Sequence, residues 1–188
     1  MKKTAAYGIK SIKFTDAHPE GITGLNGSSV SWSAFEMKAI VKDSFSFQDQ
    51  AAGESNIEVE DMDDYYAILK SDTGTEGFSV QTYDLSAAAY AFFFGYTSSG
   101  SGDGGAWNVE PAEFTLPNKA VQIITRALGD EFPSKQFEWA NMKLTVSKTG
   151  TLGKSGFPNI QIDFKKVACI DSTTGKETAG ARWKVLTA

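Results

Sequence analysis

Short runs in which apolar and polar residues alternate, each bounded by Gly, Pro, Asn or Asp, recur along most of the 188-residue chain. A period of two marks a strand with one buried face, whereas a helix would repeat at 3.6. The pattern predicts strands over Ala5 to Phe14, Trp32 to Lys42, Ser44 to Gln48, Asn56 to Asp61, Gly77 to Tyr83, Ala120 to Ala127, Phe137 to Ser147, Ile160 to Ile170 and Arg182 to Leu186. In the second of these, Phe35, Met37, Ala39 and Val41 share a face. In the run from Ile160 the apolar phase changes between Phe164 and Val167, which predicts a β-bulge. The expected fold class is mostly β (α+β).

One segment reads as a helix, about residues 84–94, in the stretch DLSAAAYAFFFG. Asp84 is a suitable N-cap, because its carboxylate can accept from the free N–H groups of a first turn. Leu85, Ala88, Ala89, Phe92 and Phe93 then follow the spacing of one buried stripe, and Gly95 supplies a left-handed C-terminal cap. At about ten residues such a helix reaches roughly 15 Å, half the hydrocarbon core of a bilayer. Loops are expected over Asp49 to Ser55 and over Tyr96 to Ala106. Within the second, Gly100 to Gly105 matches G-x-G-x-x-G, but it leaves a helix rather than a strand and runs toward Pro111. A surface loop is expected there, with no cofactor.

The length fits a single domain over 1–188, and 41% hydrophobic with 22% charged residues is globular. No stretch approaches the roughly 18 consecutive apolar residues of a transmembrane helix, so no membrane partner is expected. Lys10 and Lys13 interrupt the start of the chain before a signal-peptide core can form, and the lone Cys169 cannot make an internal disulfide. Both point to the cytoplasm. The net charge of -5 is unevenly spread: residues 43–64 carry eight acidic and no basic side chains, while 135–188 carry nine basic and four acidic. An acidic chain repels phosphate backbones, which disfavours tight nucleic-acid binding.

Catalytic sets are sparse. His18 is the only histidine and no G-x-S-x-G elbow exists, so a hydrolase has neither base nor held nucleophile, and no enzyme is expected. One Cys and one His do not make a zinc site. Glu58, Glu60, Asp61, Asp63 and Asp64 form the densest carboxylate cluster, but they lack the glycine and the spacing of a calcium loop. Alternation of Glu58 and Glu60 with Ile57 and Val59 fits a strand with one solvated face, and no metal is expected. Trp32, Trp107, Trp139 and Trp183 offer an alternative, a β-sandwich binding module that stacks on sugar rings, although Trp139 and Trp183 lie in strand patterns suited to a core or an interface.

The order of elements carries a resemblance. N-terminal strands lead to an extended pair, Lys38 to Gln48 and Asn56 to Asp61, flanking Asp49 to Ser55. A strand ending Tyr83-Asp84-Leu85-Ser86 then enters one short apolar helix that stops at Gly95, and further strands follow. In this order the chain resembles the major tail tube protein of long-tailed bacteriophages, a fold shared with the type VI secretion tube protein, so a type VI tube component is a further alternative. The resemblance implies a β-sandwich or barrel-like arrangement of antiparallel sheets with one short flanking helix. It implies a subunit that self-associates into stacked, hexameric rings in a virion tail, assembled in the host cytoplasm beside other tail proteins. The lumen would pass DNA without specific binding. The acidic region from Gln48 is similar to the long hairpin loop that contacts a neighbouring subunit or ring in that family. Contact residues are thus expected at Gln48, Asp49, Gln50, Glu54, Asn56, Glu58 and Glu60. No immunoglobulin-like domain follows Trp183, so a bare tube subunit is expected. Stacking calls for heterologous contacts, and acidic 43–64 and basic 135–188 are expected to lie on opposite ends of the subunit.

Overall fold

The computed structural model describes residues 7–26, 30–51, 54–57, 67–70, 75–102, 105–129, 132–151, 153 and 156–186. In chain order the elements are β1 (Tyr7–Asp16), β2 (Phe35–Met37), β3 (Ser46–Phe47), β4 (Glu54–Ile57), β5 (Ala67–Lys70), β6 (Gly77–Thr82) and α1 (Ala87–Phe94). They continue as β7 (Thr97–Gly102), β8 (Gly105–Val109), β9 (Lys119–Arg126), β10 (Lys135–Thr149), β11 (Asn159–Lys166), β12 (Cys169–Ile170), β13 (Glu177–Thr178) and β14 (Ala181–Val185). The fold is mostly β, with one α-helix among the described residues, and the pairings between these strands are antiparallel.

The main sheet runs β2-β1-β9-β10-β11-β6-β3, with β14 also on β10. Its spine is β10, fifteen residues long, whose first half lies between β9 and β14 and whose second half pairs with β11. The two ends of this strand order, β2 and β3, are consecutive in the chain, and the segment joining them binds both margins. Phe35–Met37 pairs with β1, Ile40 bridges Thr82, Val41 donates its N–H to the Gln81 carbonyl at 2.9 Å, and Ser46–Phe47 pairs with β6. The sheet therefore curls and is closed by its own chain into a barrel-like form.

Closure gathers the large side chains inside. The Phe14 ring lies 5.2 to 6.0 Å from those of Phe35, Phe92, Phe93 and Phe164, and Phe164 stacks on Phe78 at 4.3 Å. Each fully buried side chain of this size contributes about 1.5–3 kcal/mol from area alone. Ile12 and Phe14 on β1 and Ile160, Ile162 and Phe164 on β11 alternate with polar neighbours, which is the pattern predicted from the sequence, and on β9 Val121 and Ile123 flank Gln122. On the outer face, Ala120 and Ala140 pack with Leu25 and Cys169 in a smaller cluster.

Several expectations are corrected. The strand expected over Trp32 to Lys42 is only Phe35–Met37, because Ala39 adopts φ 46° and Asp43 φ 59°, turning the chain from one margin to the other. Ala39 is exposed instead of sharing the Met37 face. The run Ile160 to Ile170 is two strands, β11 and β12, with a break at Val167 and Ala168. A register shift falls instead between Trp139 and Met142 of β10, against β9.

The helix starts later than expected. Ser86, not Asp84, is the N-cap: its Oγ accepts from Ala89 N at 3.2 Å, while Asp84 Oδ1 accepts from Ser86 N at 3.1 Å, one turn of chain earlier. Leu85 thus falls outside α1, and Leu85 and Ala88 are exposed; Ala89 and Phe93 are buried and Phe92 packs against the core. Gly95 closes the helix at φ 72° with its N–H on the Ala91 carbonyl. A Cβ there would also strike the Phe114 ring. The stretch expected to be a loop after it is a hairpin, β7–β8, pairing Thr97 with Val109 and Gly102 with Gly105.

Candidate assembly surfaces

The acidic segment leaves the sheet as a hairpin arm. The β3–β6 ladder continues past its last pair: Gln48 N donates to the Gly77 carbonyl at 2.8 Å, Gly77 N donates to Asp49 Oδ1 at 3.1 Å, and Gln50 and Thr75 exchange bonds of 2.7 and 2.9 Å. One residue of slip later, β4 and β5 pair from Glu54 opposite Lys70 to Ile57 opposite Ala67. Within the expected loop Asp49 to Ser55, Gln50 bridges Thr75 and Glu54 and Ser55 belong to β4, and the strands at 46–47 and 54–57 follow one another along the same limb instead of facing each other. Of the predicted contact residues, Gln48, Asp49 and Gln50 lie together, exposed, at the root of the arm. Glu54 and Asn56 lie on β4; Glu58 and Glu60, with Asp61, Asp63 and Asp64, fall outside the described residues.

The root is fastened by Glu76. Its carboxylate accepts from Trp139 Nε1 at 2.8 Å and from Lys166 Nζ at 2.9 Å, while its carbonyl accepts from Lys166 N. Burial alone would push the Glu76 carboxyl up, but the two donors and the Lys166 charge hold it below the usual range. The same contact corrects the expected separation of charge: Lys166 pairs with the acidic limb's own base and Lys165 stands opposite Gly77. The basic side chains of β10 and β11 do not form one face remote from the arm.

The second arm, β7–β8, carries Trp107 at 76% exposure and exposed Val109. Its base is held by Lys148, whose ammonium lies 4.9 to 5.3 Å from the centres of the Tyr90, Phe94 and Tyr96 rings and donates to Tyr96 Oη at 3.0 Å. That hydrogen bond holds the ammonium above its ordinary range. The i, i+4 pair Tyr90 and Phe94 was visible in the aromatic burst; its cationic partner, more than fifty residues on, was not.

A third surface lies along β14. Glu138 on β10 accepts from Gln122 Nε2 at 2.8 Å, Gln136 Nε2 at 2.5 Å and Arg182 Nε at 2.6 Å, and Arg182 continues to Asn26 Oδ1 and the Leu25 carbonyl. Burial opposes ionisation of Glu138, but these donors and the Arg182 charge outweigh it and hold its carboxyl low. Beside the network is a cleft of about 340 Å³ bordered by Leu25, Asn26, Gln136, Arg182, Trp183 and Lys184. Sequence reasoning did not single it out. The available signal was the only acid of β10, Glu138 between Phe137 and Trp139, and the two bases of β14, Arg182 and Lys184, on either side of Trp183.

The other candidate groups, where described, lie apart. Cys169 Sγ meets the backbone carbonyl of His18, not its ring, while the ring Nδ1 contacts Glu20 Oε1 at 3.1 Å, and burial pushes the Cys169 thiol up. Among the described residues no group of three or more His, Cys, Asp or Glu side chains gathers as metal ligands do, and no helix is long and apolar enough to cross a membrane. Trp139 is 5% exposed, so it cannot join a sugar platform. No protein-family model matches the chain, and no curated protein matches it.

Proposed function

We propose that this chain is a non-enzymatic structural subunit that self-associates into stacked rings, as the tube of a phage tail, with DNA passing through the lumen unbound. The carrying observation is the β4–β5 arm. Its two strands pair only with each other among the described residues, and an isolated two-stranded ribbon is marginal in water without a surface to pack on. A neighbouring subunit supplies such a surface. Supporting the family resemblance are the curled antiparallel sheet and its single capped helix, and the arm leaves the sheet from the acidic limb where the resemblance implies an intersubunit contact. In this reading Gln48, Asp49 and Gln50 form the base of the contact and Glu54, Asn56, Glu58 and Glu60 its continuation, and the subunit belongs to a virion tail put together in the host cytoplasm with other tail proteins.

The test shortens the arm where the ladder permits. Replacing residues 51–74 by an Asn-Gly turn closes the hairpin beside the Gln50–Thr75 bridge and spares β3 and β6. Negative-stain microscopy at rising concentration should show rings or tubes of uniform diameter for the full chain and none for the shortened one, with unchanged circular dichroism. Normal tubes from the shortened chain would refute the arm's role. A glycan-binding module is the second reading, favoured by exposed Trp183 beside a polar cleft; a full chain that stays monomeric and binds immobilised glycans would establish it in place of the first.

A further inference from the structure

The margin of β14 has a defined polarity. Leu186 N donates to Ser134 O and Ala140 N donates to Gly180 O, each at 2.8 Å, so the even-numbered residues Gly180, Arg182, Lys184 and Leu186 turn their backbone groups toward β10. By the alternation of an antiparallel ladder, Ala181, Trp183 and Val185 point theirs away. These outward groups have no partner among the described residues. Trp183 is 61% exposed, Val185 and Lys184 are exposed, and the cleft bordered by Arg182, Trp183 and Lys184 runs beside the same strand. An open edge next to a side-chain cleft is the arrangement by which sheets take up an extended segment.

We propose that this edge accepts β4 of a neighbouring copy as an added strand. The inference rests on the assembly reading above and names the surface that receives the arm. Charge selects the occupant. Two β14 edges meeting each other would set Arg182 and Lys184 against their own copies, which lysine at an edge normally prevents. The limb containing Glu54–Ile57 belongs to the segment 43–64, with eight acidic and no basic side chains, and meets those cations favourably. The contact is heterologous, one surface against a different one, so it propagates instead of stopping at a two-fold pair. The lengths agree, four residues in β4 and five in β14.

The deciding experiment removes one outward donor without touching the ladder to β10. Val185→Pro deletes an N–H that faces away from β10, and proline is tolerated at such positions. In the full-length chain, followed by light scattering at rising concentration, Val185→Pro should keep its circular dichroism and weaken assembly by at least roughly tenfold, the loss of about one strand-addition hydrogen bond and its geometry. Lys184→Glu should weaken it as well, and Glu54→Lys in the same chain should restore part of the loss. Should Val185→Pro fail to fold, the charge pair alone decides. Assembly by folded Val185→Pro at the wild-type concentration, or a Lys184→Glu defect that Glu54→Lys leaves unmoved, overturns this inference and leaves the assembly reading standing. Slow exchange of the Ala181, Trp183 and Val185 amides in the dilute monomer overturns it too, since the edge would already be covered. A wild-type chain monomeric at every concentration sinks both.

Discussion

The margin of the sheet closed by residues 35–47 and the margin along β14 are both strand edges with aromatic side chains, yet one is sealed and the other is open. The sealed margin owes its closure to two residues in left-handed conformations, Ala39 and Asp43, which turn a single chain so that Phe35 meets β1 and Phe47 meets β6. Its Phe35 ring points inward to Phe14 and its Phe45 ring lies against Phe78, while Phe47 stays exposed. Along β14 the chain arrives from the β12–β13 ribbon, is anchored on one side by Arg182 and Glu138, and leaves Trp183 in solvent. The difference teaches where closure comes from: local backbone turns bring a second partner to one margin, and no described segment does so for the other.

The largest expected effect breaks the sealed side. Phe14→Ala empties the position around which Phe35, Phe92, Phe93 and Phe164 gather, and should cost about 3–5 kcal/mol in denaturant unfolding. A loss below about 1 kcal/mol would mean that the cluster does not hold the seam.

A smaller effect belongs to the open side. Glu138→Gln leaves the half-buried Arg182 without its counter-charge and should destabilise by about 1–3 kcal/mol near neutrality. The folded-state pKa of Glu138 lies below the ordinary 4.5, so its contribution is complete above that value and is lost as pH falls through the folded one. The gap between wild type and variant should therefore narrow on acidification. An equal gap at about pH 7 and about pH 3 would show that the carboxylate's charge is not what anchors β14.

The smallest effect sharpens the account of closure. Ala39 holds φ 46°, which glycine adopts without penalty, so Ala39→Gly should gain about 0.5 kcal/mol after the extra chain entropy is subtracted. In a thermal melt that is a rise of about 1–2 °C. A fall of similar size would mean that the turn is not strained.

What could be read from the sequence divides along the same line. The elements β6, β9 and β10 were legible because burying one face forces alternation, and Val80, Val121, Ile123 and Leu144 supply it; β14 alternates as well, although its Trp183 and Val185 are exposed. The turn at Ala39 was hidden because the alternation of Phe35, Met37, Ala39 and Val41 runs straight through a residue whose backbone reverses it. The β7–β8 hairpin was read as a loop because β7 is Ser- and Gly-rich with no apolar residue, and Trp107 and Val109 alone are too short an alternation to declare β8. The helix was found but entered two residues early, since Asp84 and Ser86 are both competent caps and only the fold decides between them. For the candidate surfaces, acidity located the arm, but Lys166, Arg182 and Tyr96, the partners of Glu76, Glu138 and Lys148, lie 90, 44 and 52 residues from them in sequence and followed from no local pattern.

The pairing of β1 with β9 also carries a temporal consequence. Asp16 and its partner Lys119 are 103 residues apart, and the strands between β1 and β9 in the chain include no partner for β1 beyond the three residues of β2. On a ribosome adding about 5–20 residues per second, β1 is finished several seconds before β9 emerges. During that interval Ile12 and Phe14, which end with no exposure at all, have only β2 and, once α1 is made, Phe92 and Phe93 to pack against. The first strand made is thus among the last to be secured, and the nascent chain must keep its most apolar edge from other nascent chains until the middle of the sequence has been read.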